Sequence, residues 1–342
     1  MAVLSIGNIT VRTPLVLSPM AGISDLPYRL LLREFGCELA FTEMISATAL
    51  AYSGKNTLKM LSSHGDDRPL GIQIMGDDEE TIQRALERIS AYPFDILDFN
   101  AACPAAKVAS KGKGAGLLRD PAKLQKLLRL LVKTSDMPVT VKIRSGWDES
   151  ALNAEETALR AEEAGVRAVF IHGRSKIQGY SGAVDYGIIR KVKESLTIPV
   201  IASGDALTPL LIKKLFDETG CDGVAIARGA LGNPWIFPQS LEYLTTGMTP
   251  PGPDLNELSQ VMKKHLSMNV AFKGEINGVI RFRKFFGWYT SGMAVKALKR
   301  RAFQATTHDE MARLIDELRV LPAGPPSPLM RDRPVKYFQL SG

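Results

Sequence analysis

One of the three cysteines in this chain, Cys103, stands where a thiol can do chemistry. It lies in the stretch DFNAACPAAKV, directly after the apolar run 96–100, which is typical of the end of a buried parallel strand. Pro104 stiffens the backbone after the thiol, and Asn100 and Lys107 are close enough in sequence to orient it or a substrate. Two interpretations fit this pattern: a catalytic loop thiol, or a buried and inert cysteine at a corner of the chain.

The segments around Cys103 predict the fold that must position it. Eight short apolar segments in the first 230 residues are continuous rather than alternating, as expected for strands buried on both faces. Amphipathic segments lie between them, and several end at a glycine, the usual stop signal of a helix. This alternation predicts an α/β fold, a (β/α)8 TIM barrel rather than a doubly wound sheet. The strands are expected at 15–19, 39–44, 70–75, 96–100, 139–143, 168–172, 200–204 and 224–228. The helices are expected at 25–35, 77–90, 121–134, 154–164, 185–195 and 208–219.

Both ends of the chain depart from this pattern. The opening LSIGNITV is expected to form a small hairpin that plugs the bottom of the barrel. A barrel domain at 1–244 is followed by a Pro/Gly-rich linker at 245–254, and the periodicity beyond it is helical. We therefore predict a small C-terminal helical bundle domain at 255–321 and a Pro-rich tail at 322–342. The bundle helices are expected at 255–272, 276–290, 292–304 and 308–320.

Catalytic groups of such a barrel come from the C-terminal ends of its strands and from the loops that follow. This rule gathers residues that are far apart in sequence at one mouth. They are Pro19, Met20, Ala21, Gln73, Asn100, Cys103, Lys142, Arg144, His172 and Arg174.

Three of these residues have a second interpretation beside the functional one. Lys142 ends an apolar strand, so its ammonium is expected in the mouth beside an anionic partner such as a reduced flavin, or else it reaches solvent. Gln73 either donates to a pyrimidine-like ring edge or is an inert strand-end residue. His172 is either a ligand contact or a core histidine.

The last two strands end in glycine-bearing loops, Ser203-Gly204-Asp205 and, after Ala227, Arg228-Gly229-Ala230. Backbone amides in such loops, together with Arg228, suit a phosphate, and phosphate sites in this fold usually lie there. The pair of loops predicts a phosphate-bearing cofactor.

Composition narrows the class of protein. Hydrophobic residues make up 45% and charged residues 23%, and no apolar run approaches the roughly 20 residues of a membrane span. The first residues lack the pattern of a secretory signal, so we expect a cytoplasmic protein without a membrane partner. Cysteines and histidines show no metal-ligand spacing, so no metal is expected.

Positive charge is concentrated in the last quarter of the chain. From residue 255 onward, 15 Lys and Arg stand against 7 Asp and Glu, whereas the preceding residues hold 28 and 29. Between 281 and 301 there are seven basic residues and no acidic ones, interleaved with aromatic residues. This asymmetry predicts a polyanionic partner. The aromatic residues are expected to form the core of the bundle.

Taken in order, these segments resemble the FMN-dependent tRNA-dihydrouridine synthases of bacteria. The resemblance rests on LSPMAGISDLPYR at 17–29, FTEMIS at 41–46, IQIMG at 72–76, DFNAACPAAKV at 98–108, VTVKIRSGWD at 139–148, IHGRSKIQGYSGAVDY at 171–186, IASGD at 201–205 and ARGALGNPWIF at 227–237. The string RFRKFFGWYTSG at 281–292 is also similar to the family's helical domain.

The resemblance implies that NADPH reduces the flavin, that hydride then passes to C6 of a uridine in RNA, and that Cys103 protonates C5. The RNA is expected to be tRNA, with its target base extruded into the mouth. The implied FMN ligands are Pro19, Met20, Ala21, Gln73, Lys142, His172, Ser203, Gly204, Asp205, Ala227 and Arg228. The residues expected to contact the substrate, from their place at the mouth or in the basic segment, are Asn100, Lys107, Arg144, Arg174, Arg281, Arg283, Lys284, Arg300 and Arg301.

Three alternatives stay open at this point: a ribosomal-RNA dihydrouridine synthase, a dihydroorotate-type flavin enzyme for a free small molecule, and a non-catalytic RNA-binding protein. The basic C-terminal segment disfavours the small-molecule enzyme, which has no need of it. The joint presence of Cys103, Lys142 and His172 disfavours the non-catalytic protein. A monomer is expected, because RNA must reach an open mouth.

Overall fold

The computed structural model describes residues 3–52 and 55–320. Its strands are β1 (Leu4–Ile6), β2 (Ile9–Val11), β3 (Leu15–Leu17), β4 (Leu39–Phe41), β5 (Ile45–Ser46), β6 (Leu70–Met75), β7 (Ile96–Asn100), β8 (Val139–Arg144), β9 (Ala168–His172), β10 (Val200–Ser203) and β11 (Gly223–Ile226). Eight of them, β3, β4 and β6 to β11, pair in parallel in that order, and β11 pairs back to β3. The barrel is therefore closed, which confirms the predicted fold.

Helices of the barrel follow most of its strands. They are α1 (Leu26–Glu34), α2 (Ala47–Ala51), α3 (Lys55–Lys59), α4 (Glu79–Ile89), α5 (Ala106–Ala109), α6 (Pro121–Thr134), α7 (Ala154–Glu163), α8 (Tyr186–Ser195) and α9 (Pro209–Thr219). Aspartates explain why the predicted starts at 25 and 185 come one residue early. Asp25 and Asp185 are N-caps that lie outside the helices, and their carboxylates accept hydrogen bonds from the amides of Tyr28 and Ile188.

The barrel interior is apolar at its lower level. Val16, Phe41, Phe170 and Ile201 belong to one buried cluster, and the rings of Phe41 and Phe170 meet edge to face at 5.4 Å. Gly71 makes room for this pair, because a Cβ there would lie 2.2 Å from the ring of Phe41. The polar residues that face the barrel interior therefore lie above this apolar cluster, towards the carboxyl ends of the strands.

The N-terminal hairpin closes the opposite end of the barrel. Leu4, Ile6 and Val11 pack on the same buried cluster. A Cβ on Gly7 would lie 2.8 Å from Pro138, which directly precedes β8. The hairpin therefore covers the end where the strands begin, as the sequence predicted.

Among the described residues, a second compact unit comprises 207–209 and 228–320. Its helices are α10 (Ile236–Thr246), α11 (Leu255–Lys273), α12 (Glu275–Tyr289), α13 (Lys296–Ala302) and α14 (His308–Arg319). This division differs from the expected boundary at 244, because the segment before α11 packs with the helices that follow. Trp235 Nε1 donates to Glu257 Oε1 at 2.6 Å, and Gly232 lies against the backbone of Tyr289.

Two further findings concern the predicted organisation. Helix α13 is shorter than the segment 292–304 that was expected, and α10 was not predicted. The Pro-rich tail at 322–342 lies outside the described residues. No helix within those residues has the length and apolar character needed to cross a membrane.

Candidate active site

The barrel register brings the predicted polar residues to one level at the carboxyl ends of the strands. Side chains of a strand alternate between its faces, so the inward position above Phe170 is His172, and the one above Ile201 is Ser203. By the same alternation and pairing, Asn100 and Lys142 face inward on neighbouring strands. The mouth of the barrel therefore presents amide, hydroxyl, imidazole and ammonium groups in one layer.

A chain of short hydrogen bonds runs from the barrel interior to Cys103. Asp98 Oδ1 accepts from Thr140 Oγ1 at 2.6 Å, and Asp98 Oδ2 accepts from Gln73 Nε2 at 2.6 Å. Gln73 Oε1 accepts from Asn100 Nδ2 at 2.8 Å, and Asn100 Oδ1 accepts from the backbone N–H of Cys103 at 2.8 Å. Gln73 and Asn100 thus hold the loop of Cys103 as well as lining the mouth.

Cys103 is half-buried, whereas Cys37 and Cys221 are buried. Burial raises the pKa of the Cys103 thiol, although the backbone at Ala105 and the charge of Arg144 act in the opposite direction. A thiol with a raised pKa stays protonated at neutral pH and is available as an acid rather than as a nucleophile.

The loop of Cys103 packs against a 3-10 helix at Gly114–Arg119. The Ala115 amide donates to the carbonyl of Cys103 at 3.1 Å, and a Cβ on Gly114 would lie 2.9 Å from Cys103 Cβ. Gly114 has φ +54°, a left-handed conformation that glycine adopts without strain. The segment KGKGAGLL, which sequence reasoning passed over, is therefore part of the support of the thiol.

Lys142 presents an ammonium group that makes no hydrogen bond or ion pair with any residue the structure describes. It is half-buried, and burial lowers its pKa to about 8, while Asp98 raises the pKa and Arg144 lowers it. Asp98 in turn is buried, and burial raises the pKa of its carboxyl group to about 6. An amine in this state is suited to an acceptor-rich ligand at the mouth.

The loop after β3 carries the predicted ligands Pro19, Met20 and Ala21. Its backbone is held by Ser24 Oγ, which accepts from the Met20 amide at 2.9 Å, and by the carboxylate of Glu43, which accepts from the amide of Gly22. Ser18, at the same strand end, has a buried hydroxyl group with no hydrogen-bond partner among the described residues.

Two arginines that are expected to contact substrate form hydrogen bonds within the protein. Arg144, 2% exposed, donates from Nε to the carbonyl of Ala102 at 2.7 Å and from Nη1 to the carbonyl of Gly179 at 2.8 Å. Arg174, also 2% exposed, donates to the carbonyl of Gly182 and forms a salt bridge with the carboxylate of Asp205. Their guanidinium groups therefore join the loops of the mouth, and the predicted direct contacts of both with substrate stay a prediction.

The side chains of the predicted phosphate loop after β10 also bind other groups of the protein. Ser203 Oγ donates to the carbonyl of Ile171 at 3.1 Å, and Asp205 pairs with Arg174 in a left-handed conformation at φ +52°. Gly204 has φ +119°, and a Cβ there would lie 3.0 Å from the ring of His172. Only the backbone amides of this loop are left for a phosphate.

Arg228 follows β11 at the start of a 3-10 turn, Arg228–Ala230, in the second unit. Its predicted role at a phosphate, and that of Ala227, stays a prediction.

The basic residues of the second unit differ in what they contact. Arg283 donates to the carbonyl of Ala305 at 2.7 Å, and its contact with RNA stays a prediction. Arg301 forms a bidentate pair with Glu317 at 2.6 and 2.7 Å. Arg281 and Arg300 are exposed, and neither has a polar partner in the described part of the chain.

The aromatic residues of α12 form the core of this unit, as expected. Phe282, Phe285, Phe286 and Tyr289 are all buried. The Lys284 ammonium lies 5.4 Å from the ring of Phe285, on the rim of this core.

The sequence profile described as Dihydrouridine synthase (Dus) matches residues 16–321, which span the barrel and the helical unit. The chain belongs to the dihydrouridine synthase family. Among its relatives, tRNA-dihydrouridine synthase B of Pseudomonas putida is 37% identical over 84% of this chain and 86% of that protein. The protein of the same name from Xanthomonas campestris is 34% identical over 95% of this chain and 99% of its own length.

Solved structures show the fold alone. The barrel of this dihydrouridine synthase family member is similar to that of histamine dehydrogenase from a Rhizobium species, with a TM-score of 0.56 and 11% identity over 78% of this chain and 50% of that one. A 2-naphthoyl-CoA reductase gives a TM-score of 0.57 at 11% identity, over 70% of this chain and 51% of that chain.

Sequence reasoning missed four polar residues that build this site: Asp98, Thr140, Glu43 and Ser18. Asp98 could have been found, since it interrupts the apolar strand β7 two residues before Asn100 and so shares its inward face. Thr140 stands in the same relation to Lys142 on β8. Among residues 3–52 and 55–320, no group of three or more potential metal ligands occurs.

Proposed function

We propose that this protein reduces the C5=C6 bond of uridines in tRNA to dihydrouridine, with Cys103 as the proton donor. The observation that carries the proposal is the half-buried thiol of Cys103, whose backbone N–H Asn100 holds at the barrel mouth, the same mouth to which strand β8 brings Lys142. Relatives over most of the chain are named tRNA-dihydrouridine synthase B, which supports tRNA as the substrate.

The donors at the mouth fit FMN. Lys142 has three N–H groups without a hydrogen-bond partner in the described chain, and Ser18 has a buried hydroxyl group in the same state. A flavin would supply the hydrogen-bond acceptors that these groups lack. When bound and reduced by NADPH, FMN would supply the hydride for C6 of the uracil ring. The residues that would hold it are Pro19, Met20, Ala21, Gln73, Lys142, His172, Ser203, Gly204, Asp205, Ala227 and Arg228.

Cys103 completes the reduction as a general acid. Its S–H bond breaks and a C–H bond forms at C5, so hydride and proton together saturate the double bond, and the thiolate is reprotonated from water. The raised pKa of the thiol keeps the proton in place until the base is bound. Arg144 helps to fix the position of the sulfur, because it binds the carbonyl of the preceding residue.

A uracil within folded RNA must be extruded before it reaches this mouth. Lys107, exposed on α5 beside the Cys103 loop, is suited to a nearby phosphate. In the helical unit, Arg281 and Arg300 are suited to phosphates for the same reason, and we propose that this unit binds tRNA. We further expect a monomer that acts in the cytoplasm, where its substrate is found.

The test is a reaction of the purified protein with FMN, NADPH and tRNA that lacks dihydrouridine. Mass spectrometry of the digested RNA should show a gain of two hydrogens at defined uridines, and tRNA from cells without the gene should lack dihydrouridine at the same positions. A product found only in ribosomal RNA, or in no RNA, would overturn the proposal.

The helical unit is tested by charge reversal at Arg300. Because this side chain is exposed and unpaired, we expect Arg300→Glu to weaken tRNA binding about threefold to tenfold and to reduce the salt slope of the binding constant by about one to two. Filter binding at several salt concentrations measures both quantities. Lys213→Glu on helix α9 of the barrel changes the net charge equally and serves as the control. An equal loss in the two variants would show that only net charge matters.

A further inference from the structure

Asp98 is a buried carboxylate one level below the mouth, in the middle of strand β7. It is 2% exposed, and both of its oxygens accept hydrogen bonds, from Thr140 and Gln73. A carboxylate in an apolar strand costs free energy unless neighbouring groups compensate it. Its position, away from open space, gives it no direct contact with a ligand at the mouth.

The hydrogen bonds of the chain that begins at Asp98 all run in one direction, with each N–H group donating towards the carboxylate. The carboxylate can only accept, so Gln73 turns its NH2 group inward and its carbonyl towards Asn100. Asn100 must then turn its own carbonyl towards the backbone N–H of Cys103, which can only donate. Every member is satisfied in this one arrangement, which holds the loop of the thiol.

Asp98 also acts on Lys142 through its charge. Thr140, which binds Asp98, lies two residues before Lys142 on the same face of β8, so the ammonium is one level above the carboxylate. Burial lowers the pKa of Lys142, and of the two charged groups that act on it, Asp98 raises that pKa whereas Arg144 lowers it. His172 ends the next strand, β9, at the level of the mouth.

We propose that Asp98 is a positioning residue of the mouth: its carboxylate anchors the chain that holds the Cys103 loop, and its charge keeps Lys142 protonated. Its consequence for catalysis rests on the proposed function. The two physical effects can be measured without any turnover, so that their failure is distinguishable from a failure to form dihydrouridine.

Asp98→Asn separates the two effects, since it removes the charge and preserves the shape. The amide carbonyl can still accept from Gln73, and the Thr140 hydroxyl can rotate to accept from the new NH2 group, so the chain persists. Competitive acylation of full-length protein, labelled without added flavin and read by mass spectrometry, reports the reactivity of each lysine. We expect Lys142 to react about fivefold faster at pH 7, the increase that follows a tenfold drop in proton affinity of this amine. Alkylation of Cys103 by iodoacetamide should stay within about twofold.

Asp95→Asn is the matched control, because Asp95 lies just before β7 at the opposite end of the barrel, where it binds Arg68 and the amide of Leu70. It removes the same charge and should leave the reactivity of Lys142 unchanged. If Asp98→Asn also leaves Lys142 unchanged, or if both variants raise it equally, the role of Asp98 as a counter-charge is rejected.

Asp98→Ala tests the anchor. Without an acceptor for Gln73 the chain loses its inner end, and we expect Cys103 to be alkylated about tenfold faster, an effect of the size of one or two hydrogen bonds. Unchanged alkylation in a folded variant rejects the anchoring role. If this variant does not fold, alkylation of Cys103 in Gln73→Leu, which interrupts the same chain one step later, decides the question in the same way.

Discussion

Cys103→Ala is expected to lower the rate of dihydrouridine formation by about 10²-fold to 10⁴-fold, the contribution typical of a positioned general acid. The loss arises because no other thiol is exposed at the mouth: Cys37 and Cys221 are buried. Binding of flavin and of tRNA should change little, since the alanine removes only the sulfur and keeps the backbone N–H that Asn100 accepts from. Single-turnover reduction of tRNA by the pre-reduced protein measures the step directly.

Cys221→Ala is the matched control for this variant and should retain activity within about twofold, because its thiol is buried in the barrel wall. Cys103→Ser should not rescue the reaction, since a hydroxyl group is a far weaker acid than a thiol. Undiminished product in Cys103→Ala would remove this residue as the proton donor. The pH profile offers a second check: burial raises the pKa of the thiol, so activity should not decline through ionisation of Cys103 at its ordinary pKa near 8.5.

Lys142→Met is expected to weaken the binding of FMN by about tenfold to a hundredfold, the value of one charge-assisted hydrogen bond in a partly buried site. Methionine has a similar length and fills the same space without the ammonium group. Titration of the protein with FMN, followed by the quenching of flavin fluorescence, gives the dissociation constants. Retained affinity in the variant would show that Lys142 does not contact the cofactor.

The same titration has a defined pH dependence. The pKa of Lys142 is lowered to about 8, so the ammonium is present below that pH and is lost as the pH rises through it. FMN affinity of the natural protein should therefore fall above about pH 8, whereas the affinity of Lys142→Met should be flat across this range. Lys107→Met is the control, because it removes an exposed lysine on α5 and should leave both the affinity and its pH dependence unchanged.

The local pattern of apolar and polar residues in the sequence was sufficient to predict the architecture of the barrel. The eight barrel strands were predicted in order, and each overlaps its observed counterpart, because strands covered on both faces leave a continuous apolar signature. Helix ends were within two residues of their predicted positions in the barrel, with N-cap aspartates accounting for early starts. Strand β5 was missed because two residues are too few for a periodic signal, and helix α10 was missed because it lies between Pro234 and the Pro/Gly-rich linker and contains Pro238.

What the sequence by itself determined about function was the set of residues at the carboxyl ends of the strands, including Cys103, Lys142 and Asn100. This followed because one rule of the barrel fold assigns every strand end to the same mouth. The glycine-bearing loops and the charge asymmetry predicted a phosphate-bearing cofactor and a polyanionic partner. The resemblance then implied an RNA-modifying flavoenzyme, and the family assignment agrees with that interpretation over the small-molecule alternative.

Only the tertiary structure showed which of these residues form hydrogen bonds within the protein and hold the loops of the mouth together. Arg144 binds the carbonyl of Ala102, 42 residues earlier, and Arg283 binds that of Ala305, 22 residues later. The role of Asp98 below the mouth depends on its hydrogen bond with Thr140, 42 residues away. Hydrogen bonds between distant residues leave no periodic trace in a sequence, because any arginine or aspartate can make them once the backbone has brought a partner within reach.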